Sequence, residues 1–138
     1  MTTAATTKPL PVPTPTSQPY WDGLRAHELR MQRCSACGTI VFYPRSNCSF
    51  CLSPELAWER IAGDGTVYTF TIARRATAPQ FEDEVPQQIA VVELDEGPRI
   101  TTTLVNVEPD QITIGMRVRP VFDDIPDAEV TLLRYAPA

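Results

Sequence analysis

The sequence lacks a basic surplus, a long apolar run and any familiar set of catalytic side chains. Twelve Lys and Arg stand against seventeen Asp and Glu, a net charge of −5 over 138 residues, and the pI is near 4.8. Nucleic-acid binders draw much of their affinity from cations placed against phosphate, so this balance argues against a DNA or RNA partner. No apolar stretch approaches the roughly 18 residues that cross a bilayer. The opening MTTAATTKPLPVPTPTSQP has neither the basic start nor the apolar centre of a secretory signal, so the expected setting is the cytoplasm, away from membranes. There is no Gly-rich phosphate loop and no His-x-x-x-His pair. His27 is the single histidine and reads as a surface residue of a helix, with no sequence neighbour to make it a base. The acidic clusters Glu82-Asp83-Glu84 and Asp123-Asp124 fall in expected loops, where carboxylates are simply solvated. Together these absences describe a protein without its own catalytic machinery.

Cysteine is also scarce, but its four copies are concentrated in one segment, CSACGTIVFYPRSNCSFC, residues 34 to 51. The pattern is Cys34-x2-Cys37-x10-Cys48-x2-Cys51. Two disulfides or one tetrahedral metal site would explain it. In a reducing compartment, tight Cys pairs read first as metal ligands. Zinc takes four thiolates at tetrahedral corners, and TIVFYPRSN is long enough for a hairpin that returns the second pair to the first. Gly38 follows the first pair, where a left-handed residue often completes such a turn. A four-thiolate ion has no open coordination position, so it is structural, not hydrolytic. Arg33 and Arg45 lie beside the site in sequence and are placed to offset its negative charge. Iron, which would make the protein an electron carrier, is the alternative; rubredoxin pairs lie further apart.

Around this module the chain divides into three. Residues 1–18, with Pro9, Pro11, Pro13 and Pro15 among threonines, predict a disordered or polyproline-II tail, because proline suits neither helix nor sheet interior. Residues 19–60 hold an amphipathic helix over 19–33, built on Tyr20, Trp21, Leu24, Leu29 and Met31, followed by the cysteine ribbon. Residues 61–138 predict five strands, 66–73, 88–94, 99–107, 117–122 and 130–136, with Tyr68, Phe70 and Ile72 on one face of the first. Five short strands without intervening helices suggest a small closed barrel. Pro120 sits inside the fourth strand and is assigned to an edge or bulge.

Several ordered motifs carry a resemblance: Tyr20-Trp21-Asp22-Gly23-Leu24, Arg33-Cys34, the Cys-x-x-Cys-Gly knuckle, Gly63-Asp64-Gly65-Thr66-Val67-Tyr68-Thr69-Phe70-Thr71, and Ile114-Gly115-Met116-Arg117-Val118. From residue 19 to 136 the chain resembles the zinc-ribbon OB-fold proteins of the acyl-CoA-associated domain-of-unknown-function family. The resemblance implies a mainly β fold: an N-terminal helix, a rubredoxin-like four-cysteine zinc ribbon and a C-terminal five-stranded OB-fold barrel. It also implies a small, non-catalytic subunit in a hetero-oligomer built on the dimer of a thiolase-superfamily enzyme. That partner would be a thiolase, an acyltransferase or a lipid-transfer-protein-like aldolase, as in steroid side-chain or aromatic-acid degradation. The partner would hold the catalytic residues, with acyl-CoA at or near the interface. Such a role asks for cations and a docking face. Arg74 and Arg75, at the end of the first barrel strand, are candidates for CoA phosphates; Trp21, Phe42 and Tyr43 are candidates for docking, although Phe42 and Tyr43 could equally pack under the metal. Leu52 stands after the second Cys pair where glycine or a polar residue is common in the family, and Ser49 stands where proline is. A nucleic-acid-binding ribbon and OB module is the alternative function, since both folds bind nucleic acids elsewhere.

Overall fold

The computed structural model describes residues 8–138; the first seven residues of the predicted tail lie outside them. Residues 8–17 form no helix or strand, and polar contacts mark both ends of the stretch. Lys8 pairs with Glu84, and Thr14 and Ser17 exchange amide-to-hydroxyl bonds of 2.9 and 3.2 Å. Helix α1, Gln18–Arg25, starts with proline in its first turn, where the missing N–H and fixed φ of Pro19 cost nothing.

The helix ends eight residues before the expected limit. His27 takes a left-handed φ of 59°, which a helix cannot continue through. Leu29–Cys34 is strand β1 instead. Leu29 and Met31 lie two residues apart and both face the core, a strand period that also fits part of a helical stripe. Strand β1 pairs antiparallel with the short β2, Ile40–Val41, and with β3, Leu56–Ile61, giving the order β2-β1-β3. The expected hairpin return is therefore shared: β2 turns back on β1, and β3, which lies outside every expected strand, covers its other edge.

The five barrel strands fall close to expectation: β4 Gly65–Ala73, β5 Gln87–Leu94, β6 Arg99–Thr103, β7 Arg117–Ile125 and β8 Val130–Pro137, in the order β6-β5-β4-β7-β8. Three details differ. A bulge between Val67 and Thr69 shifts the β4 register, so Val67 is buried and Tyr68 is turned outward beneath the Arg99 guanidinium at 3.8 Å; a bulge re-aims side chains in this way. Asp123 and Asp124 lie within β7, not in a loop. The barrel is also not closed by a continuous ladder. Strands β6 and β8 meet through a parallel bridge between Leu104 and Tyr135, with the Thr102 hydroxyl donating to the Leu133 carbonyl at 3.0 Å. Strands β4 and β7 pair only at Gly65–Val118 and Thr66–Arg117. Pro120 lies beyond that pairing, bonded in register only to β8, where its absent N–H leaves no gap in a ladder.

One apolar cluster joins Leu24 of α1, Leu29, Met31 and Ile61 of the ribbon sheet, and Val67, Val92, Val118 and Tyr135 of the barrel. At about 1.5–3 kcal/mol for each large side chain removed from water, this continuity fixes the ribbon on the barrel. A second, much smaller cluster, Cys34, Val41 and Cys48 with Leu56 against it, lies under the thiols.

Candidate metal centre and partner face

Two matching turns build the cysteine site. Gly38 N–H donates to Cys34 O at 2.8 Å, and Leu52 N–H donates to Cys48 O at 3.0 Å; both closing residues are left-handed, at φ 79° and 69°. The turns bring all four Sγ atoms within 4.8 Å of one another, with Cys34–Cys51 at 3.5 Å and Cys37–Cys48 at 3.7 Å. All four thiols are free, and these separations far exceed a disulfide bond of about 2.05 Å. A tetrahedron with Zn–S near 2.3 Å has edges of about 3.8 Å, so the donor set fits one such ion. The Phe50 and Cys51 amides lie 3.3 and 3.4 Å from Cys48 Sγ and donate to it, which favours a thiolate.

The crowding has an electrostatic signature. Cys37, 3.2 Å from the Thr39 hydroxyl, is lowered to about 6 by that hydroxyl and the Thr39 amide. Cys51 is pushed up to about 12: the Ser53 amide favours its thiolate, but desolvation and the other three sulfurs outweigh it. Four sulfurs this close resist ionising together, and a divalent cation among them relieves that opposition. Neither arginine expected to offset the site reaches a sulfur. Arg33 forks onto Glu59 at 2.9 and 3.0 Å and donates to Gly38 O at 2.8 Å, and the Arg45 Nε donates to Tyr43 O at 3.1 Å. Arg33 thus braces the first knuckle instead of neutralising it.

The aromatic candidates, far apart in sequence, come together. Trp21, Phe42 and Tyr43 line one wall of a groove of about 620 Å³ between α1, the β2–β3 connection and strands β6 and β8. Tyr20 stacks edge-on to Trp21 at 5.0 Å and lies 5.4 Å from Phe42. Phe42 therefore packs on the main core; Val41 and Leu56, not Phe42 or Tyr43, fill the space under the thiols. Tyr43 is 55% exposed. The connection that carries it is pinned by Gln32, a buried side chain no motif pointed to: its amide donates to Arg45 O at 2.8 Å and accepts from Arg45 N at 2.9 Å. Arg74 and Arg75 follow the end of β4, exposed and without an ion pair among the described residues, and neither lines the groove.

Residues 21–57 match the family described as "ChsH2, rubredoxin-like zinc ribbon domain", and residues 58–123 match "ChsH2, C-terminal OB-fold domain". The whole fold superposes on a chain of a solved "Ltp2-ChsH2(DUF35) aldolase" with TM-score 0.80 and 34% identity, over 93% of this chain and 98% of that one. This chain belongs to the DUF35 family of ChsH2-type zinc-ribbon OB-fold proteins. The family match sets zinc above iron as its metal. Among DUF35 relatives, it is 40% identical over 92 residues to a "DUF35 domain-containing scaffold protein" of Methanocaldococcus jannaschii, covering 65% of this chain and 64% of the relative. It is 37% identical over 108 residues to the "3-oxo-4,17-pregnadiene-20-carboxyl-CoA hydratase alpha subunit" of Mycobacterium tuberculosis, covering 78% of this chain. The chain spans only about a third, 34%, of the length of that hydratase subunit.

Two features of this DUF35 chain gain their meaning only from the fold. His27 has a partner after all: its Nε2 lies 2.9 Å from Asp124 Oδ2, and its ring stacks on Phe122 at 5.2 Å. The Thr131 hydroxyl donates to the same carboxylate at 2.6 Å; that bond, then His27, holds Asp124 below the usual carboxylate range. The partner stands 97 residues away, which no local pattern reveals, and the pair ties the α1–β1 turn to β7. Leu52, the departure from the family pattern, occupies the left-handed knuckle position while 74% exposed. Leu52→Gly is expected to raise stability by roughly 0.5–1 kcal/mol, since glycine adopts this conformation without the Cβ clash. A urea midpoint unchanged or lowered would contradict it.

Proposed function

We propose that this chain is a non-catalytic accessory subunit that docks on a thiolase-superfamily enzyme and supports acyl-CoA binding or turnover. In this reading Cys34, Cys37, Cys48 and Cys51 hold one Zn²⁺. A full four-thiolate shell leaves no site for a substrate or water, so the metal's work is to fix the ribbon. The unit 19–60 presents the Trp21–Phe42–Tyr43 wall to the partner, and Arg74 and Arg75, on unit 61–138, meet CoA phosphates as paired guanidinium forks. The partner is a thiolase, acyltransferase or lipid-transfer-protein-like aldolase, joined in a hetero-oligomer on its own dimer, as in steroid side-chain or aromatic-acid degradation. The observation that carries the reading is the near-complete likeness to the DUF35 chain of an aldolase named for two components; the relative named as a scaffold supports it.

Co-expression with a thiolase-fold enzyme encoded beside this chain tests the proposal. A co-eluting complex with turnover that neither component reaches alone is expected, with the small chain prone to aggregate when expressed by itself. Full turnover by the larger protein alone, or no complex with any thiolase-fold partner, would defeat it.

A further inference from the structure

The groove that gathers Trp21, Phe42 and Tyr43 has an opposite wall that partner docking does not explain. That wall is the stretch where β6 and β8 run side by side without a ladder, Ile100–Thr103 against Leu132–Arg134. The groove's lining is apolar and aromatic except for threonines, Ser17 and one cation. Arg134 is largely enclosed, its side chain 18% exposed. Its Nε donates to Asp123 Oδ2 at 3.3 Å, and among the described residues its terminal nitrogens make no hydrogen bond. Those terminal nitrogens reach solvent and stand open to an acceptor, which a guanidinium fork binds with good geometry. At about 620 Å³ the groove lies within the 300–1,000 Å³ range of small-molecule sites, which combine an apolar lining with a few placed polar groups. The described tail supplies part of the rim through Val12 and Thr14.

We propose that this groove binds the apolar body of an acyl ligand, with an oxygen of its carboxyl end on Arg134. The apolar lining and the unfilled fork call for an amphipathic ligand with an acceptor at one end. Its being an acyl group rests on the accessory-subunit proposal above. Free carboxylates of that ligand class bind without any partner enzyme, so the site is open to test by itself.

The probe is 3-oxo-4-pregnene-20-carboxylate, a ring-sized acid akin to the acyl group in the name of the Mycobacterium tuberculosis relative, titrated calorimetrically into the zinc-loaded full chain. One saturable site per chain is expected. Thr101→Trp fills the groove from an exposed strand position and is expected to abolish binding, with zinc content and melting temperature unchanged. Arg134→Gln is expected to weaken the carboxylate about tenfold, as for a lost charge-assisted bond, and to leave binding of the uncharged analogue androst-4-ene-3,17-dione unaltered. No saturable binding at the probe's solubility limit overturns the inference, as does Thr101→Trp binding like wild type, or an equal loss for both probes in Arg134→Gln. If Thr101→Trp instead breaks the complex with the partner enzyme while wild type ignores the probe, the groove is a protein dock and the ligand site is refuted. A stable, active complex without probe binding removes this inference alone; probe binding without a complex removes the accessory role alone.

Discussion

Replacing Cys48 with serine is expected to abolish stoichiometric zinc binding and to melt residues 29–61, while the barrel strands keep their slowest-exchanging amides. Cys48 is fully buried, accepts two backbone amides and sits in an apolar cluster of only three residues with Leu56 against it. Strand β2 is two residues long. So small a ribbon cannot fold on buried area. Structural zinc contributes roughly 10 kcal/mol or more in such modules, comparable to the whole net stability of about 5–15 kcal/mol of a typical domain. Serine removes one thiolate and leaves a hydroxyl facing the remaining three. Leu29, Met31 and Ile61 also belong to the main core, so melting the ribbon uncovers one side of the barrel, and the melting temperature of the remainder should fall. Hydrogen exchange with metal analysis reads the result, and chelation of the wild-type protein should reproduce it. A Cys48→Ser chain that retains a full equivalent of zinc, or native protection across 29–61, would show that these four thiols are not the metal's shell.

The cysteine spacing and the barrel strands were legible because they are local: two Cys-x-x-Cys turns impose their own geometry, and period-2 alternation bounded by glycine and proline marks strands wherever they pack. The helix limit was not. Leu29 and Met31 fit a helical stripe as well as a strand face, and the choice was made by His27 adopting φ 59° and by β3 covering β1, a pairing over some 30 residues. Tyr68 misled for a similar reason. It alternates correctly with Phe70 and Ile72, but a bulge that no residue type announces moved Val67 into the core in its place. The metal's electrostatic partners were misassigned because proximity in sequence is not proximity of charge: Arg33 points to Glu59 across the sheet. The His27–Asp124 pair and the Gln32–Arg45 brace join segments that only the tertiary fold brings together. Gly63-Asp64-Gly65 has the composition of a turn. Its glycines are there for a second reason, close approach: a Cβ on Gly65 would lie 2.4 Å from Glu93 O.

Gly63→Ala is expected to cost about 3–5 kcal/mol, the sum of left-handed strain and an overlap that the core cannot relieve. Gly63 lies between β3 and β4, where ribbon passes into barrel, at φ +78°. An added Cβ would stand 2.3 Å from Leu29 Cδ2 and 3.4 Å from the Tyr135 hydroxyl. Leu29 is 2% exposed and Tyr135 is fully buried, so neither can swing into solvent. The same residue's carbonyl accepts the Tyr135 hydroxyl at 2.6 Å. Burial, then Tyr20, Glu96 and Asp64, raise the Tyr135 phenol above its ordinary range, which keeps it a neutral donor to that carbonyl. Tyr135→Phe leaves the carbonyl unpaired in the core and is expected to cost about 1–3 kcal/mol. Because both changes act on one junction, the double variant should lose less than the sum. Gly97→Ala supplies the contrast: φ there is +121°, but nothing lies within 4 Å of the added carbon, so only the backbone term of about 1–2 kcal/mol applies. Urea unfolding of the zinc-loaded proteins compares all four variants. If Gly63→Ala is no more destabilising than Gly97→Ala, the close packing of Leu29 and Tyr135 around this residue does not hold the ribbon to the barrel.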